Sequence, residues 1–405
     1  MTASQDLQTI GPPKGETIHR AGWIVTQVDR ILENGYIHTR NGSIVETGTG
    51  KLPVTVTDAQ LIDHGPGTLI PALVNAHTHL ELSALKQKIP FDLPFQTWVE
   101  KLLEERSRHT TASLERAAVN EARVMVAAGT GYAGDISTLG IAKNALQNSG
   151  GLGVWFQEYL GSRVPDLDAR TTETPGSPQV SDIQLSVAGH APHTTSPALL
   201  HRLKQAALQR SLPFSIHLAE SRDEHEFITT GQGSWADFLK QRGIDFSAWP
   251  LPAPTPVQYL NRLGILDGST LAVHLLDVDK NDLDLLVRKQ VKICACPRSN
   301  QNLHNRLPDL PSFLSTGLFP ALGTDSLASC ASLSILDEMS FTAQSYQQIR
   351  PETIFGMATI NGAVALDIQS IAGTLSKGKR ACFVYLPVDA QTPEALMEKV
   401  VHNDC

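Results

Sequence analysis

Between residues 68 and 365, eight apolar runs, each short enough for one strand, alternate with amphipathic stretches. This alternation limits the fold more than any other feature of the chain. The runs fall at 69–76, 131–136, 153–159, 184–189, 213–218, 270–275, 291–296 and 318–323. Helical periodicity fills 95–108, 113–128, 196–210, 280–289 and 335–347. Continuous apolar runs suit strands buried on both faces, and helical crossovers keep successive strands parallel. Eight such units over roughly 300 residues predict an α/β chain folded as a (β/α)8 TIM-type barrel.

The chain ends read differently. Residues 1–16 carry Gly, two prolines and polar residues, and are expected to form a poorly ordered leader. Short strand candidates follow at 23–28, 36–39, 43–46 and 54–57. Asn41-Gly42 marks a hairpin, because both residues tolerate positive φ. Beyond 365 the run 381–386 is again strand-like. The expected organisation is therefore a barrel over 67–365 and a small β-sandwich domain built from both chain ends, 1–66 and 366–405.

Composition bears mainly on partners. A net charge of −8 argues against a nucleic-acid surface, which needs concentrated Lys and Arg. No apolar stretch is long enough to span a bilayer, and the first residues lack the plan of a signal peptide. Five cysteines, an odd number, read as a reduced cytoplasmic protein. The expected partner is a small molecule, with a homodimer as the default assembly.

Fourteen histidines stand out, and their placement carries the functional argument. Function on a barrel collects where strands end at the C-terminal face. Strand 1 ends in His77-Thr78-His79, strand 4 leads into His190, strand 5 carries His217 and Glu220, strand 6 carries His274 and strand 8 leads to Asp325-Ser326. Residues i and i+2 of a strand share a side, so His77 and His79 can grip one ion. His217 and Asp325 complete a nitrogen-and-oxygen set for one divalent metal, Zn²⁺ first, with Fe²⁺ or Mn²⁺ as alternatives. Glu220 is placed to move protons, His274 to hydrogen-bond the attacking oxygen, and Asp325 to accept a proton while remaining a ligand. His190, Glu158, Arg163 and Ser326, at the same rim, are expected to contact substrate. Arg163 and Arg298 are the cations expected to meet a substrate carboxylate.

Other residues have plainer readings. His201, His225, His304 and His402 read as surface residues, Glu104 and Glu105 as a solvated helix face, and His193 as a cap before Pro197. Cys294-X-Cys296 reads as alternation in a buried strand.

Seven segments occur in order: PALVNAHTHLELSAL, GHAPHTTSP, SIHLAES, AVHLL, CPRSNQNL, LGTDSLAS and ATINGAVAL. Together they resemble the amidohydrolase superfamily, in its cytosine/adenosine deaminase-like and triazine-hydrolase branch, from about residue 23 to 386. The resemblance implies that His77, His79, His217 and Asp325 are metal ligands, Glu220 the acid/base group and His274 the histidine beside the hydrolytic water. His190 corresponds to the substrate-contacting histidine of methylthioadenosine/S-adenosylhomocysteine deaminases. HTHLELS and SIHLAES resemble aminofutalosine deaminases. No lysine ends strand 4, where dinuclear relatives carry a carboxylated one, which implies a single metal. Gly378-Lys-Arg-Ala-Cys-Phe383 departs from the family's usual Gly-Lys-X-Ala-Asp turn. The implied function is hydrolytic deamination of an adenine-type ring. The alternatives are a guanine or cytosine deaminase, a triazine-type chlorohydrolase, or a barrel retained as a non-catalytic scaffold.

Overall fold

A computed structural model describes residues 7–12, 15–50, 59–164 and 183–404; the strand expected at 54–57 lies outside them. Two sheets organise the chain. The first is a seven-stranded mixed sheet containing β1 (Gln8–Ile10), β2 (Glu16–Gln27), β3 (Arg30–Arg40), β4 (Ser43–Thr49), β5 (Gln60–Asp63), β6 (Thr68–Pro71) and β15 (Phe383–Leu386). The second is an eight-stranded parallel sheet, in unbroken chain order: β7 (Leu73–Thr78), β8 (Thr130–Ser137), β9 (Leu152–Tyr159), β10 (Ile183–Gly189), β11 (Phe214–Leu218), β12 (Thr270–His274), β13 (Lys292–Ala295) and β14 (Ala321–Leu322).

The parallel sheet curls into the expected barrel. Its seam runs between β7 and the end of β14, where the amides of Thr324 and Asp325 both donate to the His77 carbonyl at 3.0 Å. A bridge also pairs Thr78 with Asp325. Buried Asn75 ties the seam from within: its Nδ2 donates to Thr324 Oγ1 at 2.7 Å, and its Oδ1 accepts from the Thr324 amide at 3.1 Å. Gly323 permits the approach, since a Cβ there would stand 2.8 Å from both His77 Cβ and Cys294 Sγ. The helices expected from periodicity cover the outside as Phe95–Ser107, Thr111–Ala127, Pro197–Gln209, Lys280–Arg288 and Ile335–Ser345.

The small sheet does draw on both chain ends. Asn41 (φ 49°) and Gly42 (φ 79°) make the turn between β3 and β4. β15 lies between β1 and β6, antiparallel to both. Three expectations change here. Residues 8–10, expected in a disordered leader, pair with 383–385. The run 69–76 is two strands: β6 belongs to the small sheet and β7 to the barrel, and the chain crosses at Ala72. Both strands are fully buried, so hydrophobicity never breaks where the sheet changes. The last run, 318–323, shortens to a two-residue strand. Among the described residues no helix is long and apolar enough to cross a membrane.

Candidate active site

The C-terminal ends of the barrel strands deliver one buried polar cluster. His77 on β7 and His79, one residue past its end, stand on one side, with their Nε2 atoms 3.2 Å apart. His217 on β11 brings its Nε2 to 3.2 Å from that of His77. Its Nδ1 donates to the His190 carbonyl at 2.8 Å, which fixes the tautomer and leaves the Nε2 lone pair facing the cluster. Asp325 turns Oδ1 toward His79 (3.7 Å) and His77 (4.0 Å). Its Oδ2 accepts from the Ser299 hydroxyl at 2.6 Å and the Ser329 hydroxyl at 3.0 Å.

This donor set fits a divalent cation. Nitrogens about 2.0–2.1 Å from a common Zn²⁺ at near-tetrahedral angles stand about 3.3 Å apart, close to the two separations observed. The chemistry agrees: burial holds His77 well below its ordinary pKa and lowers His79 to about 4, where the Asp325 charge opposes the shift. Both imidazoles are therefore neutral, the form that ligates.

Beside the cluster stand the proton-handling groups. Glu220 Oε1 lies 3.7 Å from His274 Nε2 and 3.2 Å from His304 Nε2. Burial would raise the Glu220 pKa, but the imidazoles of His274 and His304 outweigh it and hold the carboxyl well below its usual range. The group rests ionised, as a base. Its backbone is fixed independently, because the amides of Ala219 and Glu220 donate to the two carboxylate oxygens of Glu224 at 2.9 and 2.8 Å. Ala219 (φ 52°), His274 (φ 80°) and Asp325 (φ 59°) all occupy left-handed backbone at these strand ends. Strain of about 1–3 kcal/mol at each such residue is tolerated only where the surroundings enforce it.

The remaining expected residues divide. His190 sits against His217, ring centroids 5.0 Å apart, with Nδ1 2.7 Å from Thr194 Oγ1. Glu158 joins His190 and His217 in one cluster; its buried Oε1 has no hydrogen-bond partner among the described residues, and burial pushes its pKa up to about 7. Ser326 Oγ lies 3.3 Å from Ser329 Oγ, the hydroxyl that donates to Asp325 Oδ2. Arg163 is exposed on the loop after β9.

Arg298 is not available to a substrate. Its guanidinium is bound by Glu338 (2.6 Å), the Ser332 hydroxyl and the carbonyls of Ser332 and Ser334. His193 does not cap the turn before Pro197; Ser196 does, and His193 is buried against Trp235 with centroids 4.4 Å apart. His304 is not a surface residue: its side chain is 8% exposed and bonded to Glu220. Its place in the segment that follows β13, at the functional rim, was the available signal. Glu81 also escaped the sequence reading. Its buried carboxylate accepts from the Ser137 and Thr138 hydroxyls, the amides of Thr138 and Leu139, and Arg106, so the loop after β7 is tied to the end of β8. A cavity of about 320 Å³ opens beside these groups, lined in part by Leu93, Phe95, Glu220, Arg222, His304 and Arg306.

Comparison with known proteins agrees with this geometry. The model of the amidohydrolase family matches residues 68–403. An aminodeoxyfutalosine deaminase of Deinococcus radiodurans is 31% identical over 313 residues, 73% of this chain and 72% of the relative. A 5-methylthioadenosine/S-adenosylhomocysteine deaminase of Nitratidesulfovibrio vulgaris is 28% identical, covering 95% of this chain and 86% of the relative. Among solved structures, the aminofutalosine deaminase of Helicobacter pylori in complex with methylthio-coformycin superposes with a TM-score of 0.83 at 24% identity, covering 95% and 96% of the two chains.

Proposed function

The chain belongs to the amidohydrolase family and is a hydrolase acting on carbon–nitrogen bonds; from that premise we propose that it deaminates the adenine ring of a nucleoside. The observation that carries this reading is the Glu220 carboxylate set between His274 and His304, beside the three converging imidazoles of His77, His79 and His217. The names of the relatives at 31% and 28% identity support the adenine nucleoside as substrate class.

The family is metal-dependent, and His77, His79, His217 and Asp325 would hold the ion, Zn²⁺ in our reading. When bound, such an ion supplies Lewis acidity and lowers the pKa of water toward about 7. The protein's own groups do the rest. Glu220 takes one proton from the attacking water and delivers it to the ring nitrogen beside the amine-bearing carbon. His274 hydrogen-bonds the attacking oxygen. The second proton of that water reaches the amino group through the Asp325 carboxylate. The carbon–nitrogen bond then breaks, and ammonia leaves with its electron pair while the ring keeps the oxygen. His190 holds the ring, and Glu158, Ser326 and Arg163 contact the rest of the substrate.

The test is ammonia release by metal-replete enzyme from adenosine, S-adenosylhomocysteine, methylthioadenosine, aminodeoxyfutalosine, guanine and cytosine. Turnover of an adenine nucleoside, reduced roughly 10²–10⁴-fold in Glu220→Gln at unchanged metal content, is the expected result. Turnover confined to guanine or cytosine, or none with metal bound, overturns it.

A further inference from the structure

One two-turn helix, Pro297–His304, reaches three polar side chains of the site. Ser299 donates to Asp325 Oδ2, Asn300 Nδ2 lies 3.0 Å from His274 Nδ1, and His304 Nε2 lies 3.2 Å from Glu220 Oε1. Asn300 and His304 are four residues apart and so share a helix face. The helix is itself anchored. Glu338 accepts from the Arg298 amide at 2.9 Å as well as from its guanidinium. At the other end Asn305 turns into left-handed backbone (φ 47°), its amide donating to the Gln301 carbonyl and its Oδ1 accepting from Gln301 Nε2 at 2.8 Å. The His304 ring packs on Phe95 with centroids 4.6 Å apart, which limits its rotation.

Resting on the reading that Glu220 carries the protons, we propose that His304 is the positioning residue of that carboxylate. Glu224 fixes the Glu220 backbone but leaves the side-chain torsions free. His274, at 3.7 Å, is beyond hydrogen-bond distance. His304 therefore supplies the bond that selects one rotamer, donating from Nε2. Proton transfer needs donor and acceptor within about 2.6–3.2 Å, and a misplacement of about 1 Å costs as much as 10²-fold in rate.

Four variants test this. His304→Leu lowers kcat about 10–100-fold while KM stays within about threefold and metal content is unchanged. His304→Gln, whose amide N–H can reach the place of Nε2, recovers most of the loss. In a Glu220→Gln background, His304→Leu costs little more, since no carboxylate remains to be aimed. A packing role predicts the opposite: an additive loss, a lowered Tm and no recovery with Gln, and that pattern overturns the proposal. A further readout does not need turnover. The imidazole ¹⁵N resonances of His304, assigned by their absence in His304→Gln, shift in Glu220→Gln. Unshifted resonances overturn the proposal even if the enzyme is an active deaminase. If no substrate turns over but the resonances shift, the deaminase reading fails and the contact stands.

Discussion

Two regions of this molecule bring imidazole nitrogens within about 3 Å of each other, and they are built for different ends. At the barrel rim, the Nε2 atoms of His79 and His217 each lie 3.2 Å from that of His77. In the small sheet, His19 Nδ1 lies 3.0 Å from His64 Nε2. The separations are nearly equal; the surroundings are not. The rim adds a third imidazole and a carboxylate whose outer oxygen is held by two hydroxyls. The small-sheet pair is packed by rings, with His19 edge-on to Phe383 and His64 stacked on Tyr385. Two nitrogens sharing one proton satisfy each other. Three imidazole nitrogens and a carboxylate that converge on one point form a nitrogen-and-oxygen set of the kind a divalent cation takes. Convergence with charge, rather than proximity of histidines, distinguishes a ligand set from a hydrogen bond.

The largest expected effect separates the two regions outright. His217→Ala loses its bound metal and its turnover, the latter by about 10³-fold or more, because both nucleophile activation and its geometry depend on the ion. His64→Ala keeps metal and turnover within about twofold. Metal analysis with ammonia release checks both, and loss of metal from His64→Ala would break the comparison. A smaller effect concerns the second layer of the rim. Ser299→Ala frees Asp325 Oδ2 from its 2.6 Å donor and weakens metal affinity about 10–100-fold, read by competition with a chelator. Phe383→Leu, beside His19, leaves that affinity alone. The smallest effect sharpens the contrast through pH. Burial lowers His19 to about 4, below its unfolded value near 6.5, with the neighbouring His64 pressing the same way. Neutral His19 therefore contributes stability that is fully present above about pH 6.5 and lost as pH falls toward 4. Tm of the wild type should fall across that window, and His19→Gln should fall less steeply.

Much of the rim was legible because it depends on short-range rules. His77-Thr-His79 needs only strand periodicity and a strand end. Glu220 needs only its place three residues beyond His217, where the strand has stopped and the backbone turns. The errors share another pattern. Arg298 read as a free cation because its partner, Glu338, is forty residues on. His304 read as surface because nothing near it in sequence shows that Glu220 and Phe95 enclose it. Residues 69–76 read as one strand because both sheets bury their share of the run equally well.

The sequence alone determined the alternation of strands and helices, the side of each strand on which a side chain stands, and which residue types gather at one rim. Those follow from backbone periodicity and local composition, which act over a few residues. Tertiary structure alone decided which hydroxyl holds Asp325, which imidazole aims Glu220 and which carboxylate occupies Arg298. Those pairings join residues 26, 84 and 40 positions apart. Hydrogen bonds act over about 3 Å, so they are chosen only once the barrel has brought distant loops together.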